Sequence, residues 1–362
     1  MTVAAMVLTA PRTLEARRFD LPGVGPDDAR LRVEACGLCG TDHEQFTGEL
    51  FGGFAFVPGH ESVGVIDAIG PVASARWGVT CGDRVAVEVF QSCRECPACL
   101  DGAYRRCRRH GLGDMYGFIP ADRAPGLWGG YAQFQYLAPD SMVIPVPDGL
   151  DPVVATLFNP LGAGIRWGVT IPGTGPGDIV AVLGPGIRGL AATVAAKEAG
   201  AAFVMVTGLG ERDRPRLDVA REFGADLVVD VADTDPADAL WRATARGADV
   251  VVDVTAKAPN ALAQAVAIAR AGGTIVVAGT RGSNATPGFV PDLIVYKELR
   301  LVGALGVDLP ASRAAIELLA SRRYPFADLP RRVAGFGEIE GLLRTMAGET
   351  PDPPPVHGVF AP

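Results

Sequence analysis

The stretch Ile179-Val180-Ala181-Val182-Leu183-Gly184-Pro185-Gly186-Ile187-Arg188-Gly189 decides the fold of this chain. Five apolar residues in a row read as a strand buried on both faces, as strands of parallel sheets are. The glycines that follow are spaced G-x-G-x-x-G, and residues 190–199 favour a helix. The first glycine permits a tight turn. The second lets the backbone approach a pyrophosphate, and the third brings helix and strand together. The helix start then turns unpaired N–H groups toward phosphate. A glycine pattern by itself is a weak signal, and the strand before it and helix after it make it a dinucleotide loop.

The pattern continues outward. Apolar runs at 203–207, 227–229, 250–254 and 274–278 alternate with helical stretches at 217–223 and 260–269. Residues 156–304 therefore read as a parallel sheet covered on both faces. Ala278 and Ala304, in or beside the later strand-like runs, join residues 184–189 as cofactor-binding candidates. The run 203–207 ends in Gly208, not in the acidic residue that usually receives a ribose 2′-hydroxyl, and Arg212, Arg214 and Arg216 follow. Loss of that carboxylate removes repulsion against a 2′-phosphate, which a nearby arginine can pair with. The expectation is NADP(H) in preference to NAD(H). Glu211 and Asp213 keep the NAD alternative open.

Before this region, residues 1–155 carry short β runs at 29–35, 62–69, 83–89 and 131–137, punctuated by Gly and Pro. After it, residues 305–362 show a helical segment near 311–321, a strand-like run at 332–334 and a Pro-rich turn at 350–355. A length of 362 residues suits roughly two domains. The net charge of −8 opposes a general nucleic-acid binder, which needs a basic face. No apolar run approaches the ~20 residues needed to span a bilayer. The opening MTVAAMVLTAP lacks a basic leader and reads as a first strand, so the expected location is the cytoplasm.

Seven cysteines supply the chemistry. Cys93, Cys96, Cys99 and Cys107 are spaced C-x2-C-x2-C-x7-C within a polar loop. Four thiolates that close together can enclose Zn²⁺ tetrahedrally in a closed, structural site. A second, open zinc site is suggested by Cys39 and His60, with Glu61 beside the imidazole. One Cys, one His and one carboxylate or water leave a position free for substrate, where zinc acts as a Lewis acid.

Taken together, Gly59-His60-Glu61-x2-Gly64-x5-Gly70, Cys39-Gly40-Thr41-Asp42 and the four-cysteine lobe resemble the zinc-containing medium-chain alcohol and polyol dehydrogenases. Gly82-Asp83-Arg84-Val85 and Gly129-Gly130-Tyr131-Ala132 are similar to segments of the same family, and the likeness extends from about Met6 to Gly306. The resemblance implies an α/β protein with a GroES-like, partly β catalytic domain from residues 1–155 and 305–362. A Rossmann doubly wound parallel-sheet domain would occupy residues 156–304. It implies two zinc ions, one catalytic and one structural. Cys39 and His60 would bind the catalytic ion, Asp42 would orient His60, and Thr41 would start a proton relay. The family's further ligand precedes a Pro-Leu pair, which here is Asn159-Pro160-Leu161. An amide is a weaker zinc donor than a carboxylate, so Glu61 is the alternative inner ligand.

Many members complete the relay with His where this chain has Glu44, and His43 stands beside it. The Cys-Gly-Thr-Asp-x-Glu run resembles sugar dehydrogenases of the family. The reaction implied is hydride transfer between a secondary or primary alcohol, a polyol or a sugar and NAD(P). The run 299–305 resembles the family's subunit-pairing strand and implies a homodimer or homotetramer. Two alternatives are a silent NAD(P)-binding redox sensor with only the structural zinc, and a zinc-independent quinone or alkene reductase. Phe46, Phe51, Phe54, Trp128 and Trp167 are pocket candidates, although aromatic residues more often belong to the core.

Overall fold

The computed structural model describes residues 1–50, 52–282 and 285–362, so the pocket candidate Phe51 lies outside the described residues. The chain divides into two compact units, Met1–Asn159 with Asp308–Pro362, and Pro160–Val307.

The first unit opens with β1 (Thr2–Ala10) and β2 (Thr13–Asp20), an antiparallel ribbon. It continues through β3 (Ala29–Leu38), β4 (Glu61–Ile69), β5 (Arg84–Val87), β6 (Phe134–Leu137) and β7 (Val143–Pro145). Along the first part of β3 the residues Ala29, Leu31, Val33 and Ala35 are buried, as a strand with one face on a core requires. The opposite face carries charge, and Arg84 Nε donates to Glu34 Oε2 at 2.6 Å. Leu31, Val33, Ile66, Val85 and Trp128 pack in one cluster, and Leu38, Phe46, Phe56, Tyr131 and Phe360 in another.

The second unit holds β8 (Ile179–Leu183), β9 (Phe203–Gly208), β10 (Leu227–Asp230), β11 (Ala248–Asp253), β12 (Ala269–Val277) and β13 (Arg300–Gly303). All neighbours run parallel, in the order β10-β9-β8-β11-β12-β13. Counted along this unit the order is 3-2-1-4-5-6, the doubly wound dinucleotide-binding arrangement. β8, β9 and β11 are buried almost throughout, because helices cover both faces of such a sheet.

The chain then returns to the first unit with β14 (Arg331–Ala334) and β15 (His357–Phe360). β15 pairs antiparallel with β3, matching Gly358 to Leu38, Val359 to Gly37 and Phe360 to Cys36. The sheet order is β14-β15-β3-β4-β5-β7, with β6 on β3 as well. The α/β class, with one partly β unit and one Rossmann unit, is the one the sequence suggested.

Candidate active site

Cys39 follows the end of β3 and caps the helix Gly40–Thr47. Its N–H donates to Asp42 Oδ2 at 2.9 Å, which fixes both residues in the first turn. His60 arrives from a different turn. Gly59 there has φ +90°, and a Cβ on it would stand 2.9 Å from Tyr131 N and 2.5 Å from the Tyr131 ring. Gly130 N–H donates to Gly59 O at 2.8 Å, and Tyr131 N–H to Pro58 O at 3.0 Å. The Gly129-Gly130-Tyr131 segment thus clamps the turn that delivers His60.

The two turns bring Cys39 Sγ within 3.2 Å of His60 Nε2. Asp42 Oδ1 lies 3.8 Å from His60 Nδ1. Both of those atoms are buried without a hydrogen-bond partner. Donor atoms of Cys39, Asp42 and His60 all fall within 4.8 Å of one another. A soft sulfur and an imidazole nitrogen so placed, with a carboxylate facing the other ring nitrogen, fit a divalent zinc. Glu61, beside His60 at the start of β4, is buried but is not in that group. Its Oε2 would be 2.4 Å from a Cβ on Gly37, so the glycine makes room for the carboxylate. Asn159 is buried in the helix Phe158–Ile165.

Thr41 and Glu44 lie half-buried on the helix that begins beyond Cys39. His43 turns elsewhere, and its Nε2 is 2.8 Å from Glu349 Oε1, whose carboxylate also pairs with Arg12 at 2.9 Å. Arg12, then His43, hold Glu349 down at about 2. Cys36 is packed in the core, where burial pushes its thiol up, and its sulfur accepts from Ser62 Oγ at 3.7 Å.

The four-cysteine lobe forms a second cluster, its sulfurs also within 4.8 Å of one another. Cys96 N–H donates to Cys93 Sγ at 3.4 Å. At Cys107 burial opposes ionisation, but backbone donors around His110, Cys93 and Arg109 prevail and lower the thiol to about 6. Four sulfurs in a ring of N–H groups fit a closed zinc site. The lobe is tied down by Arg94 Nη2, which donates to Ser141 O at 2.7 Å. His110 also holds it, lying between Asp114 at 2.9 Å and Asp140 at 2.7 Å.

In the second unit, Gly184 turns the chain at φ +102°, and a Cβ on Gly189 would stand 1.8 Å from Gly184 O. Gly186 caps the helix Ile187–Glu198, and a Cβ there would meet nothing within 4 Å. The loop made by Pro185, Gly186 and Ile187 therefore leaves open space at a helix N-terminus, where a pyrophosphate fits. Arg188 lies over the Trp167 ring at 5.3 Å. Gly208 is buried at the end of β9. The nearby carboxylates are engaged by backbone: Asp213 Oδ2 accepts from Leu209 N–H at 3.0 Å, and Asp230 Oδ1 from Gly210 N–H at 2.8 Å. Arg212 and Arg214 are exposed, with Arg214 3.8 Å from Asp230, while Arg216 is half-buried on Asp213 at 3.5 Å.

Ala278 and Ala304 follow the ends of β12 and β13, at the edge where open α/β sheets bind ligands. Sequence reading missed Asp253 at the matching end of β11. It is fully buried and paired with Arg281, and Thr255 Oγ1 donates to its Oδ1 at 2.6 Å. No motif marks it. Among the aromatic candidates, Phe46, Trp128 and Trp167 are buried. Phe54 lines a surface cleft together with Phe118, which the sequence did not flag.

Residues 25–148 match the alcohol dehydrogenase GroES-like domain family, and residues 189–321 the zinc-binding dehydrogenase family. A probable alcohol dehydrogenase of Mycobacterium tuberculosis strain H37Rv is 69% identical over 361 residues, covering 99% of this chain and 98% of that one. The sorbitol dehydrogenase of Bacillus subtilis strain 168 is 31% identical over 304 residues, covering 83% and 81%. A structure from Sinorhizobium meliloti 1021 bound to NADP, described as a zinc-binding dehydrogenase, matches with a TM-score of 0.83 and 27% identity, covering 100% of both chains. An alcohol dehydrogenase structure from Thermotoga maritima shares the fold at a TM-score of 0.86 and 23% identity, also over 100% of both chains. The chain belongs to the family of zinc-containing medium-chain alcohol and polyol dehydrogenases.

Proposed function

We propose that Cys39 and His60 hold a catalytic zinc at which this oxidoreductase exchanges hydride between an alcohol and a nicotinamide cofactor. The observation that carries this reading is the 3.2 Å approach of Cys39 Sγ to His60 Nε2 beside the unsatisfied Nδ1 and Asp42 Oδ1. Zinc held there would supply a Lewis acid that lowers the pKa of a bound alcohol. A bound nicotinamide cofactor would supply the hydride acceptor for oxidation of the alcohol to a carbonyl.

The remaining work falls to the chain. Asp42 faces His60 Nδ1 and keeps Nε2 turned toward Cys39, as an acidic neighbour does for a ligating imidazole. Thr41 Oγ1 takes the hydroxyl proton and passes it outward, since a hydroxyl accepts and donates at once. Glu44, one helical turn on, is a next acceptor for that proton. Glu61 and Asn159, both buried, are the further donors in this reading. Cys93, Cys96, Cys99 and Cys107 hold the second, structural zinc.

The Met1–Asn159 and Asp308–Pro362 unit is the catalytic domain in this reading, and the Pro160–Val307 unit the cofactor domain. NADP(H) is the favoured cofactor. The exposed Arg212 and Arg214 are available to a 2′-phosphate, while Asp213 and Asp230 are held by backbone amides. A homodimer or homotetramer is supported by β13, which ends its sheet and leaves Leu301 36% exposed. The free thiols, Cys81 exposed among them, favour a reducing compartment such as the cytoplasm.

The test is metal analysis together with kinetics. Two zincs per chain are expected, and Cys39→Ser should keep one zinc and lose alcohol oxidation. Undiminished oxidation in that variant overturns the reading, and a kcat/KM favouring NAD over NADP overturns the cofactor preference.

A further inference from the structure

Asp253 is the last residue of β11, and its side chain is fully buried at the carboxyl end of the parallel sheet. β11 pairs there with β8, Asp253 against Leu183, while β9 lies on the other side of β8. The strand order therefore reverses between β8 and β11. Open α/β sheets take their ligand at such a switch point, outside the carboxyl ends of the strands. A carboxylate sealed from water at that place is costly unless it is paired. Its partner is Arg281, whose side chain is only 9% exposed and whose Nη2 donates to Asp253 Oδ2. The guanidinium reaches further. Nε donates to Ala258 O at 3.1 Å, and Nη1 to Gly279 O at 3.3 Å. Thr255 holds the other oxygen of the carboxylate, its N–H and Oγ1 donating to Oδ1 at 3.1 Å and 2.6 Å. One ion pair thus ties the segment after β11, residues 254–258, to the segment after β12, residues 278–281. A Cβ on Gly279 would stand 1.9 Å from Thr255 O, and one on Gly184 3.1 Å from Thr255 Cγ2. Thr255 is pressed between the glycine loop and the segment that carries Ala278.

We propose that Arg281 and Asp253 are positioning residues for the nicotinamide cofactor. The buried pair fixes, across the switch point, the spacing between the glycine loop and the Ala278 segment, and it acts through Thr255 and Gly279. The proposal rests on the nicotinamide-dependent reading above. Stability alone does not account for the pair, because a buried ion pair holds a fold no better than apolar residues of similar volume. What the guanidinium adds is geometry. Its planar fork directs N–H groups at Asp253, Ala258 O and Gly279 O in fixed directions, which the single point charge of a lysine does not.

The test sets cofactor affinity against stability. The Kd for NADPH and for NADH is measured by cofactor fluorescence on the full chain, beside the Tm of each cofactor-free variant. Arg281→Met leaves a lone buried carboxylate and should lower Tm and affinity together. Arg281→Met combined with Asp253→Asn removes both charges and keeps an acceptor for Thr255. Its Tm should return toward the parent while both Kd values stay raised by about 10-fold, within the span that coupled sites show. Arg281→Lys keeps the charge without the fork and should likewise be stable and weak-binding. In alcohol oxidation the loss should fall on the KM for cofactor and not on the KM for alcohol. If affinity recovers with Tm in the double variant, or if Arg281→Lys binds cofactor as the parent does, the pair is only structural and the proposal is overturned. Should the double variant not fold, Arg281→Lys decides alone. A parent that binds neither dinucleotide overturns the nicotinamide reading, and this proposal with it. A parent that binds while the variants match it overturns the proposal alone.

Discussion

Glu88 and His357 show how single buried residues set the response of this protein to pH. Glu88 is 0% exposed and accepts from Ser312 Oγ at 3.4 Å. Burial raises its pKa from 4.5 to about 7, although the donors around it pull the other way. His357 is held in one neutral form. Arg331 Nε donates to its Nδ1 at 2.9 Å, so its Nε2–H donates to Thr156 Oγ1 at 3.0 Å, and that hydroxyl donates to Val153 O. Burial lowers its pKa from 6.5 to about 3.

The two residues act with opposite sign. From pH 4.5 to 7 the folded chain keeps a proton on Glu88 that the unfolded chain releases, so stability falls as pH rises. From pH 6.5 down to 3 the unfolded chain binds a proton on His357 that the folded chain refuses, so stability falls as pH drops. Each slope is about 1.4 kcal/mol per pH unit, and in the shared window they cancel. Glu88→Gln should therefore expose a stability that rises across pH 4.5–6.5, and His357→Asn one that falls. Denaturant titrations across that range measure both, and parallel profiles in the two variants would refute the assignment.

At the scale of the element, the regular pieces were legible where one local rule suffices. The run 179–183 with its glycine loop marked β8 and the following helix, because burial on both faces leaves an unbroken apolar record. The cysteine lobe was equally plain from spacing. β12 was only half legible. It begins at Ala269, but Arg270, Gly272 and Gly273 carry no strand pattern, and the pairing comes from Ala248 on β11. β15 escaped entirely, since four residues after a Pro-rich turn have no periodicity and are held by β3 and β14. The surface cleft lined by Phe54 was missed for the same reason. Leu50, Leu112 and Phe118 meet there only after distant segments fold together.

Local rules also predict what one cap contributes. Asp235 begins the helix Pro236–Thr244 and accepts from Ala237 N–H at 2.9 Å and Asp238 N–H at 3.0 Å. Asp235→Ala should cost about 1 kcal/mol. Amide hydrogen exchange should quicken in that helix first, and an unchanged exchange pattern would count against the cap.

For the whole molecule, the two proposed metal sites would divide the labour. The proposed catalytic pair, Cys39 and His60, joins two turns that the sheet of the first unit already positions. The cysteine lobe has little core of its own, resting on Phe90 and Tyr104, so with the proposed zinc on its sulfurs its shape would depend on that ion. Cys96→Ser should lower bound zinc from two per chain to one and reduce Tm. It should also open the 94–114 loop to protease before any other segment. Limited proteolysis with metal analysis tests this, and a Tm equal to the parent would show that the lobe folds without metal.

The pairing of β15 with β3 carries a consequence for biosynthesis. Gly358 and Val359 latch onto Leu38 and Gly37, just ahead of Cys39, yet they leave the ribosome some 320 residues later. Throughout that interval this end of β3 is braced on one side only, by β4, which matches Cys36 to Ser62 and Gly37 to Glu61. The two-sided support of the turn that carries Cys39 is consequently completed only after the second unit has been made.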